Sequence, residues 1–425
     1  MQNLLDDVEA FGFVPNGGRI YFLDRSQPPV LSEMVGAMLE YYDARAQQQQ
    51  GTDREEALAL ANALLVRAWP LLKKEYHYWM SELHAVTIMV GNKSFVANRY
   101  GSTEQTPRPE SYREDVMTAA GGSADGAGNE TELFNALRAG AETGWDFSSR
   151  FIQPTLSATV QPLPLATKEN YEHAAQIGAK QFPMSNERAP DVLPVDLNSM
   201  MLRFESNMLR LSTLPAVNAP ADEQAHWQAA VTNRVALLSE VMWSAKLGRW
   251  TDVDADSLEQ LHLCAAQDEA GKCTVFHAHV GEYMPLWAMG LDMADSNRSL
   301  ALGQVKRAVA TLEGSGLLEG EVGPLTTTLA TGQQWDAPNV WAPLVLLTVE
   351  GLANGGARAL SDRIADAFLR AAHAAYLDTG YMFEKYNAFA PSQMGGGGEY
   401  EPQVGFGWTN GVILHLLARR AAKLN

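Results

Sequence analysis

A chain of 425 residues exceeds the ~250–300 residues that one hydrophobic core usually serves, so two domains or one large closed barrel are both allowed. Apolar residues make up 46% of it, enough for a substantial core, while the net charge of −18 argues against nucleic acid as a partner, because such binding draws on Lys and Arg neutralising phosphates. A neutral small molecule is the expected ligand, and the longest predominantly apolar run, Val340 to Val349, contains Pro343 and falls far short of the ~20 residues that span a bilayer.

In chain order, residues 1–30 read as a short acidic helix followed by loop, since Phe13-Val14-Pro15-Asn16-Gly17-Gly18 is dense in turn residues and Gln27-Pro28-Pro29 cannot be helical. Within it Ile20 to Leu23 is the clearest period-two, strand-like segment. Met34, Met38, Leu39 and Tyr42 recur at helical spacing between Leu31 and Gln50. Thr52-Asp53-Arg54-Glu55 has the form of a capping box and opens a long helix through Ser81, with a kink expected at Pro70. Loop chemistry runs from Gly91 to Gly128 and includes Arg108-Pro109-Glu110 and a surface patch, Gly121 to Gly126. A helix from Glu130 to Thr143 then presents Gly144-Trp145-Asp146 at its C-terminal end, where glycine is the usual stop. Further helices are expected at Thr167–Lys180, Asp196–Thr213, Ala221–Lys246, Ser299–Glu313, Val340–Asn354, Ala357–Leu377 and Gly411–Leu424. The class is therefore all-α, and a closed toroid of helix pairs or an open solenoid both satisfy the pattern.

Cys264 and Cys273 are the only cysteines. They stand among three histidines, His262, His277 and His279, in a spacing that matches no zinc module and that polar surface residues or one hairpin disulfide explain equally well. No metal or cofactor is expected. Sequons at Asn92, Asn129 and Asn297 do not decide the compartment.

Between Gly380 and Asn410 two carboxylates, Glu384 and Glu399, flank four consecutive glycines, Gly395 to Gly398, with Tyr381, Tyr386, Tyr400, Phe406 and Trp408 interleaved. Four glycines have no steric preference for one backbone region and a high entropic cost of ordering. The run reads as a loop that moves or that lies very close to something.

The stretch GGGGEY (395–400) followed by GFGWTN (405–410) resembles the C-terminal signature of the inverting trehalases, glycoside hydrolase family 37, and QWDAPNVWAP (334–343) is similar to a second signature of that family. GFVPNG (12–17), RSQPP (25–29), RPESY (108–112), GWDFSSR (144–150) and LPVDLN (193–198) match further family blocks in the same order. The resemblance implies an all-α (α/α)6 toroid with its active site on the loops of one rim, and trehalose as the substrate. The family's upstream signature, P-G-G-R-F-x-E-x-Y-x-W-D-x-Y, has no counterpart here, so residues 1–425 are expected to form a single catalytic domain from which the N-terminal part is missing. A sugar-binding paralogue without turnover, or a hydrolase of another glucoside, stays open.

Glycoside hydrolysis needs two carboxyl groups. Those on loop blocks are Asp24, Glu110, Asp146, Asp336, Glu384, Glu399 and Glu401, among which residue type and position do not choose. The resemblance implies Asp146 as general acid and Glu384 as general base. It further implies substrate contacts from Asn16, Arg25, Ser26, Gln27, Arg108, Pro109, Glu110, Gly144 and Glu399, the last arriving as its loop closes. Trp335, Trp341 and Trp408 offer faces for sugar, of which one or two at most are expected to touch it.

Overall fold

The computed structural model describes residues 1–122, 129–155, 162–289 and 298–423. Helix accounts for 55% of the structure. The N-terminal helices are α1 (Gln2–Phe11), α2 (Leu31–Gln48) and α3 (Thr52–Trp79). In α3, Ala57, Ala61, Leu64, Leu65, Ala68 and Leu72 recur at three- and four-residue intervals and are buried, the apolar stripe that lets it pack on α2. After α4 (Tyr112–Gly122), Asn129 caps α5 (Glu130–Glu142) by accepting a hydrogen bond from the Thr131 amide. There follow α6 (Tyr171–Gln181), α7 (Val195–Ser212) and α8 (Ala221–Ala236). Fourteen of the 18 residues of α7 are buried, as befits a helix enclosed on all sides. The C-terminal helices are α9 (Met284–Ala288), α10 (Arg298–Glu313), α11 (Ala342–Asn354), α12 (Arg358–Thr379) and α13 (Gly407–Ala421). Successive helices pack as pairs, α2 with α3, α7 with α8 and α11 with α12, and α7 touches both α2 and α9.

Five small antiparallel sheets among the described residues interrupt the helices. They use β1 (Ala85–Val90) with β2 (Lys93–Asn98), β3 (Val192–Leu193) with β6 (Val253–Asp254), β4 (Trp243–Ser244) with β5 (Arg249–Trp250), and β7 (Cys264–Gln267) with β8 (Cys273–Phe276). The fifth sheet places β10 (Lys385–Asn387) between β9 (Asn339–Trp341) and β11 (Ala390–Met394), in the register Lys385 to Trp341 and Asn387 to Asn339. A disulfide joins Cys264 to Cys273 across its hairpin.

The helical expectations hold to within a few residues at most ends, with five corrections. Ile20 to Leu23 is not strand-like: Ile20–Asp24 is a 3-10 turn, with the Phe22 amide bonded to the Arg19 carbonyl where no partner strand is present. Thr52 is the first helical residue, and Gly51, at φ +61°, takes the cap position without a side-chain bond, so no capping box forms. The helix from Ala221 stops at Ala236, passes through a π turn at Leu237–Val241 and gives way to the β4–β5 hairpin. Asn339–Trp341 is a strand, and the helix starts at Ala342 with Pro343 in its first turn, where no amide is needed. The stretch 91–128, read as loop, contains β2 and α4. The α3 helix continues through Pro70. The patch beyond Gly122 and the sequon at Asn297 lie outside the described residues. No described helix is long and apolar enough to cross a membrane.

Glu75 sits in α3 at 2% exposure with one carboxylate oxygen unpartnered, and burial raises its pKa from 4.5 to about 8. The neutral form fits the core, so the stability it contributes is full below the unfolded value of 4.5 and is lost as pH rises through about 8. Denaturant titrations of wild type and Glu75→Gln across that window are expected to show the difference turning against wild type by at most about 1.4 kcal/mol per pH unit. A pH-independent difference would show that Glu75 is already ionised in the fold.

Candidate active site

Helix α5 ends at Glu142, an acidic residue at a helix C-terminus, where the dipole disfavours it. Its compensation is a full set of donors: the Ser26 amide at 2.9 Å, Tyr78 Oη at 2.6 Å, His84 Nε2 at 3.0 Å and the Gly101 amide at 3.1 Å. Glu142 is fully buried and its pKa is lowered, His84 and the donors outweighing desolvation. Three chain segments are thereby fastened beneath the loop that follows. Gly144 turns that loop at φ +71°, and a Cβ there would lie 3.3 Å from Gln27 Oε1 and from Pro28. Trp145 is buried and Asp146 is partly exposed. Desolvation raises the Asp146 carboxyl from 3.8 to about 7, opposed by its own amide and by Arg108, with the Glu399 carboxylate adding to the rise.

The block from Gln334 to Trp341 grips this loop from the other side. Asp336, with no exposed surface, accepts from Ser148 Oγ at 2.8 Å, from the Ser149 amide at 3.0 Å and Oγ at 2.9 Å, from Thr327 Oγ1 at 3.2 Å and from Thr331 Oγ1. Gln334 donates to the Asp146 carbonyl, and the Trp335 amide donates to the Phe147 carbonyl at 3.1 Å. The same block supports Glu384, because β9 pairs with β10 at the next residue. Trp145, Trp335 and Trp341 stack in sequence, with centroids 5.7 and 3.9 Å apart, and Trp408 meets Trp341 edge-on at 5.6 Å. Trp408 Nε1 donates to the Glu384 carbonyl at 2.9 Å. The indoles thus form a spine from the Asp146 loop to Glu384; Trp335 and Trp341 are buried, at 5% and 1% exposure, as core residues.

Glu384 is itself 2% exposed. Tyr400 Oη donates to its Oε1 at 3.0 Å and the Gln403 amide to its Oε2 at 2.8 Å. Gln334 bonds both the Asp146 carbonyl and the ammonium of Lys385, the residue after Glu384, so the two carboxyl-bearing segments are neighbours. The glycine run is held close rather than loose: a Cβ at Gly397 would lie 2.4 Å from the Gly332 carbonyl oxygen, and one at Gly395 would lie 2.3 Å from Asn339 Oδ1.

Arg25 and Arg108 are each 2% exposed and organise the remaining residues. Arg25 donates through Nε to Asn16 Oδ1 at 2.8 Å, through Nη1 to Asp24 at 3.4 Å and through Nη2 to Glu110. Arg108 clasps Asp115 through Nε at 3.1 Å and Nη2 at 2.6 Å, and Nη2 also reaches Glu399 at 3.2 Å. Gln27 donates to the Ala141 carbonyl at 3.2 Å. Ser26 spends its hydroxyl on the Val14 carbonyl at 2.7 Å as well as its amide on Glu142, and Pro109 opens the short turn Pro109–Ser111 and has no polar side chain. Both hold loops in place. Of the seven loop carboxylates, Asp24, Glu110 and Glu399 are paired with arginine, Asp336 is saturated with donors and Glu401 is exposed. Among the described residues neither Asp146 nor Glu384 makes an ion pair. Glu142, Lys385 and Tyr400 were not singled out from the sequence as site residues, although Tyr400 closes the GGGGEY stretch and Glu142 is an acidic helix end.

Replacing Asp336 with Ala strands several buried donors, each costing about 1–3 kcal/mol. Asp336→Ala is therefore expected to lose at least about 3 kcal/mol in a denaturant melt, and a loss within experimental error would show that the clamp is dispensable.

A family model described as Trehalase matches residues 1–169 and 173–421. A trehalase from Homo sapiens is 32% identical over 427 residues, covering 100% of this chain and 61% of that protein. A probable trehalase from Oryza sativa subsp. japonica is 35% identical over 428 residues (98% and 65%), and a periplasmic trehalase from Escherichia coli O8 is 31% identical over 422 residues (98% and 61%). The chain thus spans less than two thirds of the length of these relatives. Among solved structures, neutral trehalase Nth1 from Saccharomyces cerevisiae superposes with a TM-score of 0.63 at 21% identity, covering 98% of this chain and 68% of that one. A GH63 mannosylglycerate hydrolase from Thermus thermophilus superposes with a TM-score of 0.52 at 16% identity, covering 98% and 87%. The fold they share with this chain is the (α/α)6 barrel type, as the resemblance implied and the helical pattern alone left open. With its family model matched from the first residue to residue 421 and relatives above 30% identity along its whole length, the chain belongs to the trehalase family.

Proposed function

We propose that the protein hydrolyses trehalose to two glucose molecules with inversion, with Asp146 as general acid and Glu384 as general base and with residues 1–425 acting as one catalytic unit. The observation that carries this reading is the contrast between two carboxyls that make no ion pair among the described residues: one is desolvated, with its pKa raised to about 7, and the other is bound by two donors, Tyr400 Oη and the Gln403 amide. Environments that set two carboxyls apart are what acid and base roles require. Asp146 gives its proton to the glycosidic oxygen as the bond to the anomeric carbon breaks. Glu384 takes a proton from the water whose oxygen forms the new bond on the opposite face, which needs carboxyl groups ~6.5–9.5 Å apart. One proton leaves Asp146 and one arrives at Glu384, so the charge of the pair is conserved.

Asn16, Arg25, Gln27, Arg108, Glu110, Gly144 and Glu399 are assigned to the sugar hydroxyls, with Ser26 and Pro109 as supports. Nη1 of Arg108 makes none of the bonds to Asp115 or Glu399 and remains a donor for a ligand. Two uncharged sugar rings suit the expectation of a neutral small molecule.

Asp146→Ala and Glu384→Ala are each expected to lower kcat by ~10²–10⁴-fold with the fold retained. Asp146 works only when protonated, so kcat/KM of the wild type should decline as pH rises through about 7. Near-normal turnover in either variant, or a profile flat above about that pH, removes the residue concerned from the mechanism.

A further inference from the structure

The segment Gly395 to Gln403 performs several tasks in one conformation. It sets Glu399 against Arg108 and Ser111, and it supplies both donors to Glu384, Tyr400 Oη and the Gln403 amide. Its first four residues are glycines, which lose more backbone freedom on ordering than any other residue, so the conformation depends on outside anchors. Asn339 supplies two of these, bonding the Gly396 amide at 3.1 Å and the Gly396 carbonyl at 2.8 Å. The Gly332 carbonyl accepts from the Gly398 amide at 3.1 Å. The Gly395 amide donates to the Lys385 carbonyl at 3.0 Å, and the Gly397 carbonyl accepts from Lys385 Nζ at 3.2 Å.

Lys385 is an expensive way to make that bond. It has no exposed surface, and among the described residues it makes no ion pair. Its ammonium bonds the Gly397 carbonyl and Gln334 Oε1, the latter at 3.1 Å, and lies over the face of Trp341 at 5.2 Å. Burying a cation without a counter-ion costs more than burying an apolar chain of the same length, and hydrogen bonds offset only part of that cost. Burial lowers its pKa to about 8, and the charges of Glu384 and Asp146 oppose that fall, so the ammonium is present at neutral pH. Gln334 completes a chain of contacts, because its amide nitrogen holds the Asp146 carbonyl while its amide oxygen accepts from Lys385.

Resting on the assignment of Glu384 as base, we propose that Lys385 is a positioning residue: by tying the Gly397 carbonyl to Gln334 it anchors the glycine loop, and the base is oriented only while that loop is anchored. Release of the bond removes the anchor at Gly397, which lets Tyr400 and the Gln403 amide leave Glu384 and Glu399 leave Arg108. Loop closure and base orientation are then one event, which separates this lysine from one that merely fills the core.

Lys385→Met removes the donors at similar chain length, Lys385→Arg keeps charge and donors but moves them, and Tyr400→Phe deletes one hydroxyl on a residue that is 44% exposed. Hydrogen exchange at the Gly396, Gly398 and Gln403 amides is measured beside kcat and KM on trehalose. Lys385→Met is expected to speed exchange at these three amides by about tenfold, with amides of α7 unchanged, and to lower kcat by ~10²-fold with a smaller change in KM, as for a misplaced catalytic group. Lys385→Arg should fall between it and wild type. Tyr400→Phe should lower kcat while loop exchange stays at the wild-type rate. Wild-type exchange at the three amides in a folded Lys385→Met or Lys385→Arg protein overturns the anchor, and unchanged kcat in Tyr400→Phe overturns the link to the base. The exchange measurement needs no turnover, so a wild type that releases no glucose defeats the functional reading without deciding the anchor.

Discussion

A carboxylate that loses all contact with water must be met by donors, and at Asp336 that requirement draws distant parts of the chain together. Its oxygens collect Ser148 and Ser149 from the loop after α5, and Thr327 and Thr331 from the segment before its own turn. The residues on either side of it, Gln334 and Trp335, bond the backbone of Asp146 and Phe147. A few residues later the chain becomes β9 and pairs with the strand that starts immediately after Glu384. One short block therefore fixes both proposed catalytic loops, and neither can shift without disturbing a saturated, buried network.

The tryptophan spine adds the apolar half of the same design. Trp145 and Trp408 flank the two carboxyl-bearing segments, while Trp335 and Trp341, only 4° from parallel, fill the space between them. Arg150 lies over Trp145 at 4.6 Å and is held by Asp196 at 2.6 Å and Asp252 at 2.7 Å, so the spine rests on a buried, fully paired charge cluster. Rigid support of this kind keeps Asp146 in desolvated surroundings, where its proton is retained to a higher pH, and holds the backbone of Glu384 through Trp408. The four glycines are the exception, ordered only by contacts made from outside.

Much of the helical scaffold is legible in the sequence because long amphipathic stripes, such as Ala57 to Leu72, bury one face over many turns. The short strands are not legible: β9 and β10 have three residues each, and their pairing is decided by which loops meet in space. The site shows the same division. Trp145-Asp146 and Trp335-Asp336 are the same dipeptide on two loops, and nothing local separates them. Only the fold surrounds one carboxylate with hydroxyl donors and leaves the other without an ion pair. Resemblance to a family is what directs attention to particular loops, whereas the donors to Glu142 and the burial of Lys385 arise from contacts across more than 40 and 50 residues of chain, respectively, which no local pattern records.

An acid and a separate base on opposite sides of the glycosidic bond have a stereochemical signature that no merely sugar-binding relative can imitate. Proton NMR of the first products released from trehalose, recorded before mutarotation, tests it directly. Equal amounts of β- and α-glucose are expected, one anomer from the attacked ring and the other from the leaving ring. Release of α-glucose alone would mean retention and rule out Glu384 as the base of a single displacement, and no release at all would contradict the proposed activity.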